Sequence, residues 1–494
     1  MHPAEDPRSR VHRPLAVGIA LVAMGLVLVR AWIQSATIDE CDSFLTFGAK
    51  AQPFQWYPSS GNHVLNTIVV RFFTYGFGVS HLTLRSSAII GAAIFIIACY
   101  QLCRIISTSE LVRIPLFACL VFNPFVLDYL IAARGYSLAL GFLMTAAFVS
   151  IRALTRSEKL LSSAAAVSLM AGLSFSANFA FAWMDAAILF VFWYLANKLY
   201  RPRWYSFASA CIFPGLIAVV FLAGHTVLSW PKGQLYFGAS TVREMWHSLA
   251  VASVYVPNAE VVNPLLMPVF AVLMDILPYI YYSAGALLGL SAVFIVIKRR
   301  GHDRVASAAA LVAGALALAF GLYWLMHRVF RILLPMDRTG LFFVVLSTVL
   351  FGILVEMQDE SMFSRIVRPI GIGVLIAGSV YFLGCLRLSH FREWKFDADT
   401  KHGYEALEQA ARRYDIHDVV TEWPYTGAMK FYDLYYGHPC GLRILGMPET
   451  PQSDRLLYVL YQAEDGELLK RPDMKVIYHD EPSGLVVAGT GVSQ

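Results

Sequence analysis

The chain has 494 residues, of which 57% fall in the AVILMFWYC set and only 15% are charged, against about 25% charged in a typical soluble domain. Its mean hydropathy of +0.57 excludes a soluble globular enzyme. The net charge of +5 is scattered among loops and forms no basic face, so nucleic acid is not an expected partner.

Apolar blocks of about 18 to 22 residues recur along the chain, the length that crosses a bilayer's hydrocarbon core. The first, about 14–33, follows Arg8, Arg10 and Arg13 and ends at Trp32 without a small-residue cleavage site. It reads as a retained first helix with a cytoplasmic N-terminus, not as a signal peptide. Further spans are predicted near 84–103, 114–132, 137–154, 160–177, 180–197, 205–224, 276–297, 305–325, 340–356 and 367–386, about eleven in all. About 17 Lys and Arg then fall on short cytoplasmic connections and about ten on far longer outer loops, as the positive-inside rule expects. An odd number of crossings puts the tail outside.

Two outer loops are long, 34–83 and 225–275, so the protein's work is expected on the outer face. Within the first, His63 to Gly78 is apolar but too short to span and suits a helix lying in the interface. From 387 the composition changes: twelve of the Lys and Arg lie in 387–494. Helical spacing over Thr400–Tyr414 and Ala428–Tyr436, with strands at His417–Trp423, Leu456–Tyr461, Met474–Tyr478 and Gly484–Ala488, predicts a small soluble α/β domain. The expected organisation is an all-α polytopic bundle over 1–386 and an extracytoplasmic α/β domain over 387–494. Five of the seven cysteines lie in or beside spans; Cys41 and Cys440 face the oxidising side and are free to pair, and no C-x-x-C metal spacing occurs.

Three groups of residues carry chemical potential. Asp39, Glu40 and Asp42 crowd the outer mouth of the bundle directly after the first span; packed acids at that level hold a proton, a cation or a hydroxyl. Asp128, Arg134, Gly135 and Tyr136 mark the outer ends of the third and fourth spans, where Asp128 and Arg134 either form a structural ion pair or serve a ligand. Arg328, Arg331 and Arg338 gather on the outer side, where they either snorkel to headgroups or fork around a phosphate. Lys232 is a weaker candidate for the same task. Asn62, His63 and Asn66 lie one helical turn apart at the start of the interfacial helix and can face a substrate. No G-x-S-x-G, Walker A or Gly-rich dinucleotide turn is present.

The N-in multispan bundle, Asp39-Glu40 after the first helix, the in-plane segment beginning Asn62-His63, the Asp128…Arg134-Gly135-Tyr136 stretch and the outer tail together resemble the GT-C superfamily of membrane glycosyltransferases. These include the protein O-mannosyltransferases, the aminoarabinose transferases and the rhizobial galacturonosyltransferases. The resemblance implies a sugar donor on polyprenyl phosphate and a lipid, glycan or protein acceptor hydroxyl outside the inner (plasma) membrane. It implies Asp39 as the base of an inverting transfer, with Glu40 orienting it or binding acceptor. Arg134, Arg328, Arg331 or Arg338 would supply donors to the leaving phosphate. Asp128 would fix Arg134 or help bind a divalent metal ion, the one cofactor left open. The rival class is a transporter or lipid flippase, which needs ionisable groups near mid-membrane in both halves; here Asp185 is the main acid inside a span.

Overall fold

The structure, a computed structural model, describes residues 8–49, 57–156, 159–231, 233–235, 237–280, 304–357, 362–447 and 455–492. Among these residues, eight helices are long and apolar enough to cross a membrane: Pro14–Ile33, Ser86–Ile106, Tyr136–Thr155, Leu160–Ala177, Phe179–Tyr200, Trp204–Leu222, Val305–Phe330 and Asp337–Glu356. A ninth crossing, expected as one straight span over 114–132, is broken into Glu110–Phe122 and Pro124–Ile131, which meet at 52°. The cause is local. Pro124 has no N–H to continue the helix and pushes Asn123 out of the helical region. The Asn123 side chain then caps the second piece by accepting from the N–H groups of Phe125 and Val126 at 3.1 and 3.3 Å. The last expected span is the helix Met362–Gly384. Most of the span expected near 276–297 lies outside the described residues, as does Lys232.

Lipid-filled surroundings give helices no hydrophobic reason to associate, so close backbone approach must do it. Gly172 and Gly215 supply such a contact between the spans Leu160–Ala177 and Trp204–Leu222: a Cβ on Gly172 would lie 2.5 Å from the Gly215 carbonyl oxygen. The interfacial segment forms the helix Val64–Phe77. It buries Val64, Asn66, Thr67 and Val70 and leaves Phe72, Tyr75 and Phe77 at 69%, 96% and 74% exposure, an apolar edge suited to the headgroup boundary.

The tail folds as expected in class. Its sheet runs β2-β1-β3-β5-β4, with β1 Asp418–Thr421, β2 Arg443–Gly446, β3 Leu457–Tyr461, β4 Met474–Asp480 and β5 Leu485–Thr490. β1 pairs parallel with β2 and β3; β5 pairs antiparallel with β3 and β4. The short β2 and the helix Gln462–Leu469 escape the sequence pattern, because neither carries enough apolar residues to show a period. Helices Thr400–Tyr414 and Trp423–Tyr435 pack on the sheet, and the second also meets the turn after the first span, with Phe431 edge-on to Phe44 at 5.9 Å.

The tail is docked, not tethered. The Tyr432 hydroxyl accepts from the Ala36 N–H at 2.8 Å and contacts His81 Nε2 at 3.0 Å; the Ser35 hydroxyl donates to the Ala398 carbonyl at 3.0 Å. Cys41 and Cys440 are both free, with Cys41 buried, so that pairing does not form.

Candidate functional site

The turn after the first span decides where the acids point. Thr37 caps the six-residue helix Ile38–Ser43 in a reciprocal box, its hydroxyl accepting from the Glu40 N–H while a Glu40 oxygen accepts from the Thr37 N–H. The Ile38 N–H is taken by Asp397 Oδ2 from the tail linker at 2.7 Å. Glu40 is therefore turned inward and Asp39, one residue earlier, outward.

Glu40 is 1% exposed and saturated. Arg85 donates to it through Nε at 2.9 Å and Nη2 at 2.7 Å, and the Ala133 N–H donates at 2.8 Å. Burial alone would raise this carboxyl, but the Arg85 charge and these hydrogen bonds outweigh it and hold it below the usual carboxylate range. The rest of the Arg85 guanidinium is spent on the carbonyls of Ala31, Gln34 and Ser35, at 3.2, 2.8 and 2.7 Å, a cation closing the C-terminus of the first helix. Of the two parts expected for Glu40, these contacts fit the orienting one: it fixes the turn that carries Asp39.

Asp39 keeps a side-chain exposure of 26% and faces two guanidinium groups, Arg338 Nη1 at 3.1 Å and Arg134 Nε at 3.7 Å from its Oδ2. Arg134 also donates to the Asp39 carbonyl at 3.2 Å and to the Ser43 hydroxyl. Its turn is held by Gly135, at φ +75, where a Cβ would fall on the Ala177 carbonyl and 3.2 Å from the His63 Cβ; only glycine fits both demands. Arg338, at the start of the span Asp337–Glu356, is shared with Glu393, and its guanidinium lies 4.6 Å over the Phe237 ring. Glu393 also accepts from the Tyr129 hydroxyl. Burial lifts the Glu393 carboxyl above the ordinary range in spite of Arg338 and Tyr129. Burial and the neighbouring Asp39 charge likewise raise Asp42.

His63 lines the same region. It is 8% exposed, its Nδ1 has no hydrogen-bond partner, and its ring lies 6.1 Å from Tyr136 and 6.3 Å from Phe179. Burial, then the charges of Arg134 and Arg338, push its pKa well below the ordinary histidine value, so it stands neutral at pH 7. Tyr136 forms a wall with Tyr129, ring to ring at 5.0 Å.

Several expected site residues are scaffold. Asp128 does not meet Arg134: it pairs with Arg30 at 2.7 Å and accepts from the Tyr255 hydroxyl at 2.8 Å and the Arg392 N–H at 3.0 Å. The break at Pro124 turns it toward the first span. Asn62 donates to the Tyr57 carbonyl and accepts from Thr67, and Asn66 donates to the Ala133 carbonyl and accepts from Ser87. Both amides are buried, and each holds one donor and one acceptor bond within the protein. Arg328 and Arg331 are exposed, with Arg328 stacked 5.9 Å over Trp324, and neither reaches Asp39. Among the described residues, no group of three or more His, Cys, Asp and Glu is placed to hold a metal ion.

What the sequence missed is the linker 387–399. Besides Glu393 it supplies Phe391, whose ring lies 5.3 Å from the guanidinium carbons of both Arg30 and Arg85, and Trp394, packed on Tyr129 at 5.8 Å. A signal existed for the two arginines: the charge pattern of the loops assigns both to outer helix ends, where a basic residue needs a specific partner. No such signal marks Glu393. The assembled cleft offers one partly solvated carboxylate between two cations, with a neutral imidazole and aromatic walls, beside the turn that follows the first span.

No family model matches the chain, and no curated protein matches its sequence. Among solved structures it is similar to ArnT from Cupriavidus metallidurans in the apo state, at 12% identity over 97% of this chain and 98% of that one, with a TM-score of 0.46. It is similar also to that protein bound to undecaprenyl phosphate, at 13% identity over 98% of each chain, with a TM-score of 0.48.

Proposed function

We propose that the chain is an integral inner-membrane glycosyltransferase that moves a sugar from a polyprenyl-phosphate donor to an acceptor hydroxyl on the extracytoplasmic face, with inversion. The observation that carries this reading is the pairing of Asp39 with Arg338 and Arg134 in one half-open cleft. Transfer from a lipid phosphate needs a proton acceptor for the incoming hydroxyl and fixed donors for the leaving oxygens. One carboxylate and two forked cations meet both needs.

In the proposed step, the acceptor hydroxyl gives its proton to Asp39 as its oxygen bonds to the anomeric carbon. The bond from that carbon to the phosphate oxygen breaks on the opposite face, and its electron pair leaves with polyprenyl phosphate. Arg338 and Arg134 hold the charge that develops there. A guanidinium carries five donors in a plane, so Arg338 can keep Glu393 while turning toward phosphate, which frees Asp39 to act as base. Arg328 and Arg331 stand apart and attract anionic headgroups at the rim. The N-terminus is cytoplasmic and the α/β domain lies outside, where it buttresses the catalytic turn through Asp397 and Tyr432.

The test is consumption of polyprenyl-phosphate sugars by the full chain in nanodiscs, followed by mass spectrometry of the lipid fraction. Wild type consumes one donor of a panel in the presence of acceptor, and Asp39→Asn, equally inserted and folded, loses about a hundred- to ten-thousand-fold in rate. Full activity in Asp39→Asn removes Asp39 as the base; no turnover or binding of any donor removes the transferase reading.

A further inference from the structure

Away from the Asp39 cleft, the spans Leu160–Ala177, Phe179–Tyr200 and Trp204–Leu222 enclose a pocket of about 580 Å³, within the range of small-molecule and cofactor sites. Its walls are apolar, with small residues Ala171, Gly172 and Gly215 at the back. Its rim includes Phe190, Ile212 and Leu216, exposed at 54%, 56% and 49%. These rim residues belong to membrane-crossing stretches, so the mouth opens sideways into the bilayer and an occupant enters from lipid, not from water.

One residue does not suit an empty greasy slot. Asp185 lines the pocket at 3% exposure, and neither of its carboxyl oxygens has a hydrogen-bond partner. The Ser174 hydroxyl beside it has one proton, which is on the Ala139 carbonyl at 3.1 Å and reaches Asp185 only by leaving that bond. A buried polar group without a partner is costly in any protein and most of all inside hydrocarbon. Asp185 lies six residues below the outer end of its span, roughly 9 Å at the helical rise of 1.5 Å per residue, which is too deep for a headgroup to reach as a matter of course. A plain prenyl or acyl chain in this pocket would leave both oxygens bare.

We infer that this pocket binds a membrane lipid carrying a hydroxyl on its hydrocarbon body, with Asp185 as the hydrogen-bonding partner of that hydroxyl. The hydroxyl satisfies the acid, and the chain fills the apolar walls. The site is distinct from the transfer cleft and does not depend on the transfer reading. On its lining, Phe175 meets the Phe179 ring at 5.2 Å, and that ring lies 6.3 Å from His63, so one aromatic ring separates the pocket wall from the transfer cleft.

The test uses methyl ricinoleate and methyl oleate, chain-matched esters that differ by one hydroxyl, offered together to the full chain in detergent and read by native mass spectrometry. Wild type retains the hydroxylated ester in about tenfold preference, the loss expected when a buried acceptor goes unpaired. Asp185→Leu retains both esters equally, and Ala186→Phe, which fills the pocket from an exposed position on its lining, retains neither. The inference is overturned if wild type shows no preference, if Asp185→Leu keeps it, if Ala186→Phe binds as wild type does, or if polyprenyl phosphate displaces the ester competitively.

Discussion

Glu40 and Asp39 are neighbours on one helical turn, and each is paired with arginine, yet they have opposite surroundings. Glu40 is sealed, with every oxygen engaged and its partner Arg85 equally sealed. Asp39 is partly open, held at its edge by two cations that have other contacts. A buried, fully satisfied ion pair fixes geometry and has no freedom to react. An acid with unspent hydrogen-bonding capacity at a cleft can exchange a proton. The first centre is the scaffold on which the second is displayed.

Breaking the sealed pair has the largest expected effect. Glu40→Ala leaves Arg85 charged and unpaired in the interior and costs about 3–5 kcal/mol, read as a fall in the midpoint of thermal unfolding in detergent and poor yield. Asp39→Asn costs no such stability; a comparable loss of folded protein in both variants would erase the distinction. Arg338→Ala comes next: transfer falls by about a hundred- to a thousand-fold and affinity for polyprenyl phosphate weakens, while Arg328→Ala changes neither. Equal effects of the two would place the phosphate at the rim instead.

The smallest expected effect concerns pH and the seam that backs the sealed side. His81 contacts the Trp32 carbonyl and the Tyr432 hydroxyl at 3.0 Å each, and burial, then Arg85, lower its pKa from 6.5 to about 4. Between those values the unfolded chain binds more protons than the folded one, so stability falls as pH drops through the window and is fully present above it. His81→Gln removes its share of that slope and leaves the shares of His63 and His390, which burial lowers in the same direction. An unchanged pH dependence of unfolding in His81→Gln would show that the seam carries no buried neutral histidine.

Much of this was open to reading in the chain. The spans are long runs of apolar residues, a signal that needs no tertiary information, and the tail's helix Thr400–Tyr414 was placed to the residue by its spacing. Asp39, Arg134 and Arg338 were each singled out, the arginines because a cation on the outer side needs a partner. Their partners were not legible. Asp128 stands six residues from Arg134 and pairs with Arg30 instead, since the break at Asn123–Pro124 turns its helix. Asn62 and Asn66 share a face with His63, but packing against Thr67, Ser87 and Ala133 engages the amides and leaves the imidazole. Glu393 comes from a linker with no motif, some 350 positions from Asp39 in sequence.

The sequence by itself determined that this is a membrane bundle followed by a small α/β domain, and which turn carries the acids, because hydrophobic period and capping are local properties of a few adjacent residues. Only the tertiary structure decided which carboxylate is sealed and which is open. That choice depends on Arg85, Arg338 and Glu393 arriving from three distant elements, and on how much water their packing leaves around each oxygen.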